Sequence, residues 1–385
     1  MSRKHFLLLW SASLGVLMSL SANSILYPLW MEANDFSISR IGLISGIGAL
    51  GALFGRLSLG WAIDRFGTRP FLLLGVFLWL VTSPLTAWTE NPLWLIVFRL
   101  LQGLGGAFFT AGALSFINYR TDEAQRGAVV SWWDTAGSFA NLLAPVSAAW
   151  LVQVTSFNAA FAASGAAAGL ALLVGFFLPQ SYPRQEDDAP QATFKLFTHS
   201  AVLPGLYAAV LGYAAGAVLV LSPVIAGAVG LDNAGLYLLA FSIGTLVVRP
   251  VTAPLSDRKG RSWVIVPGIF LMGLSLLLLG LIRAPGLALL PPLVFGIGIS
   301  SALPGLMAWN GDRASDSTQG LAASTLYALW ECGIFAGSLL QGRLIDRWGL
   351  PSFTPIGLVL AITGLVYLAV MRSRQQKQTK VSLPG

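Results

Sequence analysis

Twelve long apolar stretches dominate the sequence and limit the folds open to this chain more than any other feature. A helix that crosses a bilayer needs about 20 apolar residues. Because the bilayer core offers no water to backbone N–H and C=O groups, such stretches must form helices that satisfy those groups internally. The sequence therefore predicts an all-α membrane protein with twelve transmembrane helices. The stretches are residues 6–30, 39–62, 71–88, 93–117, 127–153, 158–178, 200–228, 234–255, 263–282, 286–309, 321–343 and 354–371.

The composition excludes several other classes of protein. Only 10% of the residues are charged, which is too few to cover the surface of a soluble domain, where about 25% is usual. With Cys332 as the only cysteine, neither an intrachain disulfide nor a cysteine metal cluster is expected. With only His5 and His199, and with no phosphate-binding loop in the sequence, we expect no enzyme activity, no cofactor and no metal. The basic residues are spread between the apolar stretches and form no single patch, which argues against nucleic-acid binding.

The distribution of basic residues predicts the topology. If both termini face the cytoplasm, most loop lysines and arginines lie on the cytoplasmic side, as the positive-inside rule requires. The outer side then holds only Arg40, Arg283, Arg343 and Arg347. We therefore expect a multi-pass protein of the cytoplasmic (inner) membrane with both termini inside. The longest polar interval, residues 180–199, predicts a cytoplasmic linker between an N-terminal six-helix bundle (1–179) and a C-terminal one with a basic tail (200–385).

An internal repeat relates the two halves at a constant offset of 193 residues. Such a repeat predicts two six-helix halves of the same orientation that face each other, and parallel repeats of this kind place a substrate site near the midplane between them. The matched positions are Arg56 with Arg249, residues 64–67 (DRFG) with 257–260 (DRKG), residues 103–105 (GLG) with 296–298 (GIG), and Gly127 with Gly320.

Two motifs resemble those of the major facilitator superfamily of secondary transporters. Residues 60–69 are similar to the family's loop signature G-x-x-x-D-R-x-G-x-R, and residues 99–105 read R-x-x-Q-G-x-G in the fourth stretch. The resemblance covers essentially the whole chain and implies two pseudo-symmetric bundles that work by alternating access. A third D-R-x-G, residues 346–349, falls on the predicted outer side and off the repeat register. The short core of the motif therefore also occurs outside the gating context.

The resemblance is closest to the bacterial drug or sugar efflux branch of the family. Proton-driven drug exporters of the family carry G-x-x-x-G-P-x-x-G in the fifth stretch. Here Pro145 is present, but alanines 140, 144 and 148 stand at the glycine positions, which weakens the antiporter assignment without removing it. Small residues of either kind let helices approach closely.

The resemblance also implies that the two D-R-x-G loops of the repeat are conformational gates. In the first loop, the Asp64 carboxylate would approach the N-terminus of a neighbouring helix, which is a favourable place for negative charge. The alternative is a cluster of topology-determining charges in a tight turn. The predicted gating residues are Gly60, Asp64, Arg65, Gly67, Arg69, Asp257, Arg258, Gly260 and Arg261.

Charged residues inside the apolar stretches are costly, and they usually face a cavity or a partner. In the family's fold, spans 2 and 11 pack across the domain interface, as do spans 5 and 8. Since the depths match to within a helical turn, Arg56 is predicted to pair with Glu331, and Arg249 with Asp134. The pairs could couple protonation to gating, or could be static bridges. A third possibility is that the two arginines bind an anionic substrate.

Arg99 and Gln102 belong to the motif of the fourth stretch, which implies a role in proton coupling. The alternative is that Arg99 caps backbone carbonyls or snorkels outward. Central positions of spans 1, 4, 7 and 10 usually line the cavity in this family, although any one aromatic there could instead pack between helices or face lipid. The predicted cavity residues are Asn23, Tyr27, Trp133, Asn141, Tyr213, Met307, Trp309, Tyr327 and Trp330.

These observations predict a secondary active transporter that exports small amphipathic organic molecules in a proton-coupled way. The expected partners are a small-molecule substrate, protons and the lipid bilayer, and the expected state is a monomer that binds no nucleic acid. The alternative is an uptake or exchange carrier for a small anion bound by Arg56 and Arg249. A receptor on a transporter scaffold is disfavoured by the embedded charges, and a channel by the absence of a filter-like segment in the sequence.

Overall fold

The computed structural model describes residues 1–182, 198–281, 285–314 and 319–365, and all regular secondary structure in these residues is helical. We number the helices by membrane span. They are α1 (Arg3–Ala33), α2 (Ile38–Phe66), α3 (Thr68–Thr86), α4 (Pro92–Arg120), α5 (Glu123–Val154), α6 (Phe157–Gly175), α7 (His199–Ala215), α8 (Gly235–Lys259), α9 (Ser262–Leu281), α10 (Leu290–Arg313), α11 (Gln319–Trp348) and α12 (353–365).

The seventh span changes its helical pitch. After α7 the chain passes through a π-helical segment (Gly216–Val220) into a short helix (Ser222–Ala228). Pro223 has no N–H, so it cannot donate the usual helical hydrogen bond to the carbonyl of Leu219. The Ser222 hydroxyl donates to that carbonyl at 2.8 Å. The side chain therefore satisfies a group that the proline leaves without its normal partner.

The predicted all-α membrane fold is confirmed. In the described ranges, 11 helices are long and apolar enough to cross a membrane. The twelfth predicted span, residues 354–371, begins in a shorter apolar helix within Leu350–Leu365, and its remaining residues lie outside the described ones. Several helices extend past their apolar stretches. For example, α11 runs to Trp348, so Arg343 and Arg347 lie in its last turns and not in a loop.

The helices form two groups that meet mainly through two pairs of helices. In the first group α1 packs on α5 and α6, while α4 packs on α2 and α3. In the second group α11 packs on α7, while α10 packs on α8 and α9. The main contacts between the groups join α2 to α11 and α5 to α8. We call the groups the first and second bundles.

Close glycine contacts repeat between the two bundles at the offset seen in the sequence. A Cβ atom on Gly103 of α4 would lie 1.9 Å from the carbonyl oxygen of Gly48 in α2. A Cβ atom on Gly296 of α10 would lie 2.2 Å from the carbonyl oxygen of Phe241 in α8. Because both members of each contact are separated from their counterparts by 193 residues, the two bundles are built in the same way.

A second pair of contacts follows the same rule. Cβ atoms on Gly105 and Gly298 would each lie 2.8 Å from a carbonyl oxygen, that of Gly75 in the first bundle and that of Gly268 in the second. Only glycine allows the backbones to come this close, which is how small residues hold membrane helices together when lipid provides no hydrophobic driving force. The repeat in the sequence is therefore a repeat of helix packing.

Most of the predicted linker, residues 183–197, lies outside the described residues. Its first residues belong to the first bundle. The N–H of Thr68 donates to the carbonyl of Ser181 at 3.0 Å, and the Gln180 amide donates to the carbonyl of Phe66 at 2.7 Å. These bonds attach the chain after α6 to the turn between α2 and α3.

We expect Gly103→Ala to lower the melting temperature of the detergent-solubilised protein, because the added methyl group overpacks the α2–α4 contact at a cost of about 1–3 kcal/mol. Gly127→Ala is the matched control, since among the described residues no atom beyond the backbone of its own helical turn lies within 4 Å of the added Cβ. Fluorescence-detected thermal unfolding of both variants compares them with the parent. Equal stability of the two variants would contradict the packing argument.

Candidate functional site

The bundles have two ends, which we name by the segments they carry. The terminal face holds His5, Gly67, Arg120 and Ser181. There the Arg120 guanidinium donates to the Ser181 hydroxyl and lies 3.4 Å from Nδ1 of His5. The far face is the opposite end, which holds the loop between α1 and α2 and the end of α11. Charged side chains inside the spans lie between these faces.

Arg56 and Glu331 form an ion pair between the two bundles. The Nη2 atom of Arg56 in α2 lies 3.2 Å from Oε1 of Glu331 in α11. The Glu331 side chain is only 8% exposed, whereas that of Arg56 is 31% exposed. The guanidinium carbon of Arg56 also lies 4.5 Å from the ring centre of Tyr327, one helical turn before Glu331. A carboxylate this well buried needs a partner, and Arg56 supplies it from the opposite bundle.

Arg249 and Asp134 form the second ion pair, which joins α8 to α5. The Nη1 atom of Arg249 lies 2.7 Å from Oδ2 of Asp134. Both side chains are about half exposed, at 51% and 54%. The structure thus brings all four predicted residues together in the predicted pairs, and the coupling role of these pairs stays a prediction.

The D-R-x-G loops are helix ends that require glycine. Gly67 and Gly260 have φ angles of 78° and 96°, in the region that side chains with a Cβ rarely adopt. The N–H of Gly67 donates to the carbonyl of Ile63 at 2.7 Å, and that of Gly260 to the carbonyl of Ser256 at 3.0 Å. The glycine of the motif therefore ends α2 and α8 in the same manner.

The described charges of the first loop contact the first bundle. The guanidinium of Arg69 donates to the carbonyl of Phe176 at 2.6 Å, and its N–H donates to the Gln180 side chain at 2.9 Å. The guanidinium of Arg65 lies 5.6 Å from the ring centre of Phe66. Gly60 and the Asp64 side chain, both predicted in this gate, lie outside what the structure describes.

In the second loop the charges pair within the second bundle. Arg261 lies 2.6 Å from a carboxylate oxygen of Asp257 and 3.0 Å from one of Asp312 at the end of α10. The hydrogen bonds to Asp312 and Asp257 raise the pKa of the Arg261 guanidinium above its ordinary value. Arg258 is exposed. This loop therefore ties α8 to α10.

Arg99 lies in a polar cluster inside the first bundle. Its guanidinium donates to Oε1 of Gln102 at 3.1 Å and to the carbonyl of Ser45 in α2 at 2.9 Å. It also lies 4.8 Å from the ring centre of Tyr27 in α1. The carbonyl contact matches the capping alternative left open by the sequence, and the proton-coupling role stays a prediction.

Asn23 and Tyr27, predicted on the cavity wall, are fully buried within the first bundle. The Asn23 amide donates to Ser83 of α3 at 2.9 Å and to Ser164 of α6 at 2.5 Å. The Tyr27 hydroxyl lies 2.5 Å from that of Thr86 in α3. In this conformation Asn23 contacts α3 and α6, and Tyr27 contacts α3, α4 and α6, all in the first bundle. The polar residues of this stretch are spread around the helix, so its sequence did not indicate which side faces the cavity.

The other two predicted cavity residues of the first bundle lie on α5. The Trp133 indole donates to the Ser13 hydroxyl at 2.7 Å. Asn141 accepts from the Ser21 hydroxyl at 2.5 Å through its side chain, and from the Ser242 hydroxyl of α8 at 3.1 Å through its backbone. Asn141 therefore lies at the contact between the bundles, at the same interface as Asp134.

In the second bundle, five predicted cavity residues are partly buried: Tyr213, Met307, Trp309, Tyr327 and Trp330. The Tyr327 hydroxyl lies 3.8 Å from the sulfur of Met307, so α10 and α11 meet beside the Arg56–Glu331 pair. Trp309 differs from the expectation, because it lines a cavity of about 140 Å³ with Tyr207, Ser262 and Thr363. That cavity lies among α7, α9, α10 and α12, not between the bundles.

Comparisons with known proteins agree with this architecture. The family model described as Major Facilitator Superfamily matches residues 9–236 and 209–385. The chain belongs to the Major Facilitator Superfamily. It is therefore a multi-pass membrane protein of a transporter family, and the prediction that it is not an enzyme is confirmed by the family and by its relatives.

Several relatives and solved structures resemble this member of the Major Facilitator Superfamily. The MFS-type transporter SLC18B1 of Mus musculus is 25% identical over 91% of this chain and 82% of its own length. The methylenomycin A resistance protein of Bacillus subtilis (strain 168) is 32% identical, over 33% of this chain and 28% of its own length. A crystal structure of the nucleoside transporter NupG (D323A mutant) aligns with a TM-score of 0.78 at 15% identity, over 96% of this chain and 99% of that one.

Sequence reasoning missed a buried polar cluster in this superfamily member. The hydroxyls of Ser19 and Ser164 lie 2.9 Å apart, and both Ser83 and Ser164 accept from the Asn23 amide. These side chains tie α1 to α3 and α6. Serines in an apolar stretch could have pointed to such contacts, because a polar group inside a membrane needs a partner.

The two ion pairs should differ in their contribution to stability. In double-mutant cycles, replacing Arg56 and Glu331 with glutamine singly and together should give a coupling energy of about 1–3 kcal/mol, since Glu331 is buried. The same cycle for Arg249 and Asp134, with glutamine and asparagine, should give about 0.2–1 kcal/mol, because both side chains are about half exposed. Unfolding of the purified protein measures both cycles, and the reverse order of the two energies would contradict the burial argument.

Proposed function

We propose that this protein is a secondary active transporter that exports small amphipathic organic molecules in exchange for protons by alternating access. The observation that carries the proposal is the Arg56–Glu331 ion pair. It joins α2 of one bundle to α11 of the other, and it contains a carboxylate that is almost completely buried. Contacts of this kind must break and re-form when two bundles change their relative orientation.

Protonation offers a direct route from a proton to such a change. If Glu331 takes up a proton it loses its charge, and its attraction to Arg56 falls to that of a neutral hydrogen bond. Tyr327 already contacts Arg56 from the same helix, so the arginine keeps a favourable neighbour in the protonated state. A proton therefore shifts the balance between two arrangements of the bundles.

The half-exposed Arg249–Asp134 pair supports the proposal at the second interface. Arg249 is the counterpart of Arg56 in the repeat, yet both side chains of its pair are more exposed than those of the Arg56–Glu331 pair. Both side chains of this pair are about half exposed, whereas that of Glu331 is only 8% exposed. We therefore assign the main coupling role to Glu331 and a weaker gating role to Asp134.

The substrate class rests on the side chains near these pairs. Tyr213, Tyr327 and Trp330 are partly buried in the second bundle, and pockets rich in aromatic side chains hold organic molecules mostly through apolar surface. The methylenomycin A resistance protein matches a third of the chain, and its name supports the drug efflux branch. The second candidate is a carrier for a small anion held by Arg56 and Arg249. We favour export, because each of these arginines already has a carboxylate within 3.2 Å.

The basic side chains at one end of the bundles indicate the orientation of the protein in the membrane. The terminal face carries Arg65, Arg69, Arg120, Arg258 and Arg261, and a basic face lies on the cytoplasmic side by the positive-inside rule. We therefore propose that both termini are cytoplasmic, that the protein lies in the cytoplasmic (inner) membrane, and that a monomer is the working unit.

The test uses everted vesicles on which a proton gradient is imposed. Ethidium is the amphipathic probe, and its accumulation in the vesicles is measured. Parent vesicles should accumulate ethidium, and an uncoupler should abolish this. Glu331→Gln should reduce accumulation to the level of vesicles without the protein, whereas Asp134→Asn should weaken it only partly. Glu90→Gln, an exposed acid at the far face, is the control and should transport like the parent.

Two outcomes would contradict the proposal. Full gradient-driven transport by both Glu331→Gln and Asp134→Asn would show that neither carboxylate couples protons. Competition by organic acids or phosphate in the parent, with no need for the gradient, would favour the anion carrier.

A further inference from the structure

The third D-R-x-G sequence, residues 346–349, forms a contact between the bundles at the far face. Gly349 has a φ angle of 63° and its N–H donates to the carbonyl of Ile345 at 2.8 Å, so it ends α11 as Gly67 ends α2. Asp346 lies in the last turn of α11. Its Oδ1 accepts from the N–H of Ile38 at 3.0 Å, and its Oδ2 accepts from the N–H of Ser39 at 2.8 Å.

Both donors belong to the first turn of α2, in the other bundle. The first N–H groups of a helix have no partner within it. The Ser37 side chain caps α2 by accepting from the N–H of Arg40 at 3.4 Å. Asp346 accepts from the two N–H groups before that of Arg40, one with each carboxylate oxygen. A negative charge at this position also interacts favourably with the helix dipole, and hydrogen bonds to a charged acceptor are stronger than neutral ones.

The backbones of α2 and α11 are in close contact just inside this carboxylate. A Cβ atom on Gly342 would lie 2.8 Å from the carbonyl oxygen of Ile38. A Cβ atom on Gly42 would lie 2.2 Å from the carbonyl oxygen of Ser338, and the Ser338 hydroxyl lies against Gly46. The helices approach this closely only when the far ends of the bundles are together.

The other interface is also closed at the far face. A Cβ atom on Gly235 at the start of α8 would lie 2.5 Å from the carbonyl oxygen of Pro145 in α5. The Gln153 amide donates to the carbonyl of Asp232 at 2.6 Å. By contrast, Asp134 and Arg249, which lie further towards the terminal face, are about half exposed. The structure therefore shows a conformation that is closed at the far face.

We propose that Asp346 is a latch that holds the far face closed by capping the N-terminus of α2 from the opposite bundle. The proposal rests on the alternating-access function proposed above, in which the far face must open once in each cycle. Opening separates α2 from α11, so both hydrogen bonds to Asp346 must break. The carboxylate thus favours the closed state over the open one.

The test measures the distance between the bundles at the far face by pulsed electron–electron double resonance. Spin labels are attached at Glu90→Cys in the first bundle and Leu287→Cys in the second, in a Cys332→Ser background. Asp346→Asn should raise the ratio of open to closed distances about two- to fivefold, as expected for loss of a charge at a helix N-terminus. Asp346→Glu keeps the carboxylate and should stay close to the parent.

A second variant tests the same contact from its donor side. Ile38→Pro removes one N–H that Asp346 accepts from. Proline suits the first position of a helix, and Ser37 before it already has the extended ψ of 150° that a following proline requires. Ile38→Pro should therefore also raise the open fraction, whereas Ile38→Ala, which keeps the N–H, should not.

Asp35→Asn is the control for charge alone, because Asp35 is an exposed acid on the same face. Parent-like distances in both Asp346→Asn and Ile38→Pro would overturn the latch, and so would an equal shift in Asp35→Asn. The distances need no substrate and no gradient. Loss of the proposed transport function and loss of the latch are therefore seen in different experiments.

Discussion

The core of a bilayer supplies no water to a backbone amide or to a charge, and the architecture of this protein follows from that constraint. In the part of the chain that the structure describes, every spanning segment is helical, because a helix satisfies its own backbone groups. Helices that gain nothing from leaving lipid are held by close backbone contact, and the paired glycines of α4 and α10 provide it. Charges within the spans are kept only where a partner lies opposite, as Arg56 does for Glu331.

Contacts between the bundles occur at two levels with different chemistry. At the level of the ion pairs, an arginine of one bundle contacts a carboxylate of the other. A proton can neutralise such a carboxylate. At the far face, the Asp346 carboxylate meets two backbone N–H groups of α2 instead of a charged side chain. In the proposed cycle, proton binding loosens the first level, while the second defines how stable the closed far face is. The same short motif, D-R-x-G, ends helices at both faces, but at the far face its aspartate bridges the two bundles.

Much of this could be predicted from the sequence, for identifiable reasons. The spans follow from apolar length, and the equivalent construction of the bundles follows from the constant offset between glycine motifs. The pairing of Arg56 with Glu331 followed from depth, since each residue of a helix adds 1.5 Å from a recognisable end, together with the helix neighbours implied by the family resemblance. Those helix neighbours are present in the structure.

The neighbouring helices that an individual side chain contacts could not be predicted in the same way. The polar residues of α1 are spread around the helix, so periodicity did not show that Asn23 and Tyr27 would be buried within the first bundle. The direction of the Trp309 side chain in α10 could not be predicted either, and it lines a cavity within the second bundle. The Asp346 contact joins segments about 300 residues apart and exists only when the far face is closed. It depends on the relative position of the bundles, which no local pattern records.

The central claim is that the charge of Glu331 controls how the bundles are arranged. The most direct measurement is the distance between spin labels on the terminal face, at Gln125→Cys and Lys259→Cys in a Cys332→Ser background, as a function of pH. In the parent, lowering the pH should shift the distance distribution, because protonation weakens the Arg56–Glu331 pair. In Glu331→Gln the pH-dependent shift should be much smaller than in the parent. An equal pH dependence in both proteins would contradict the account.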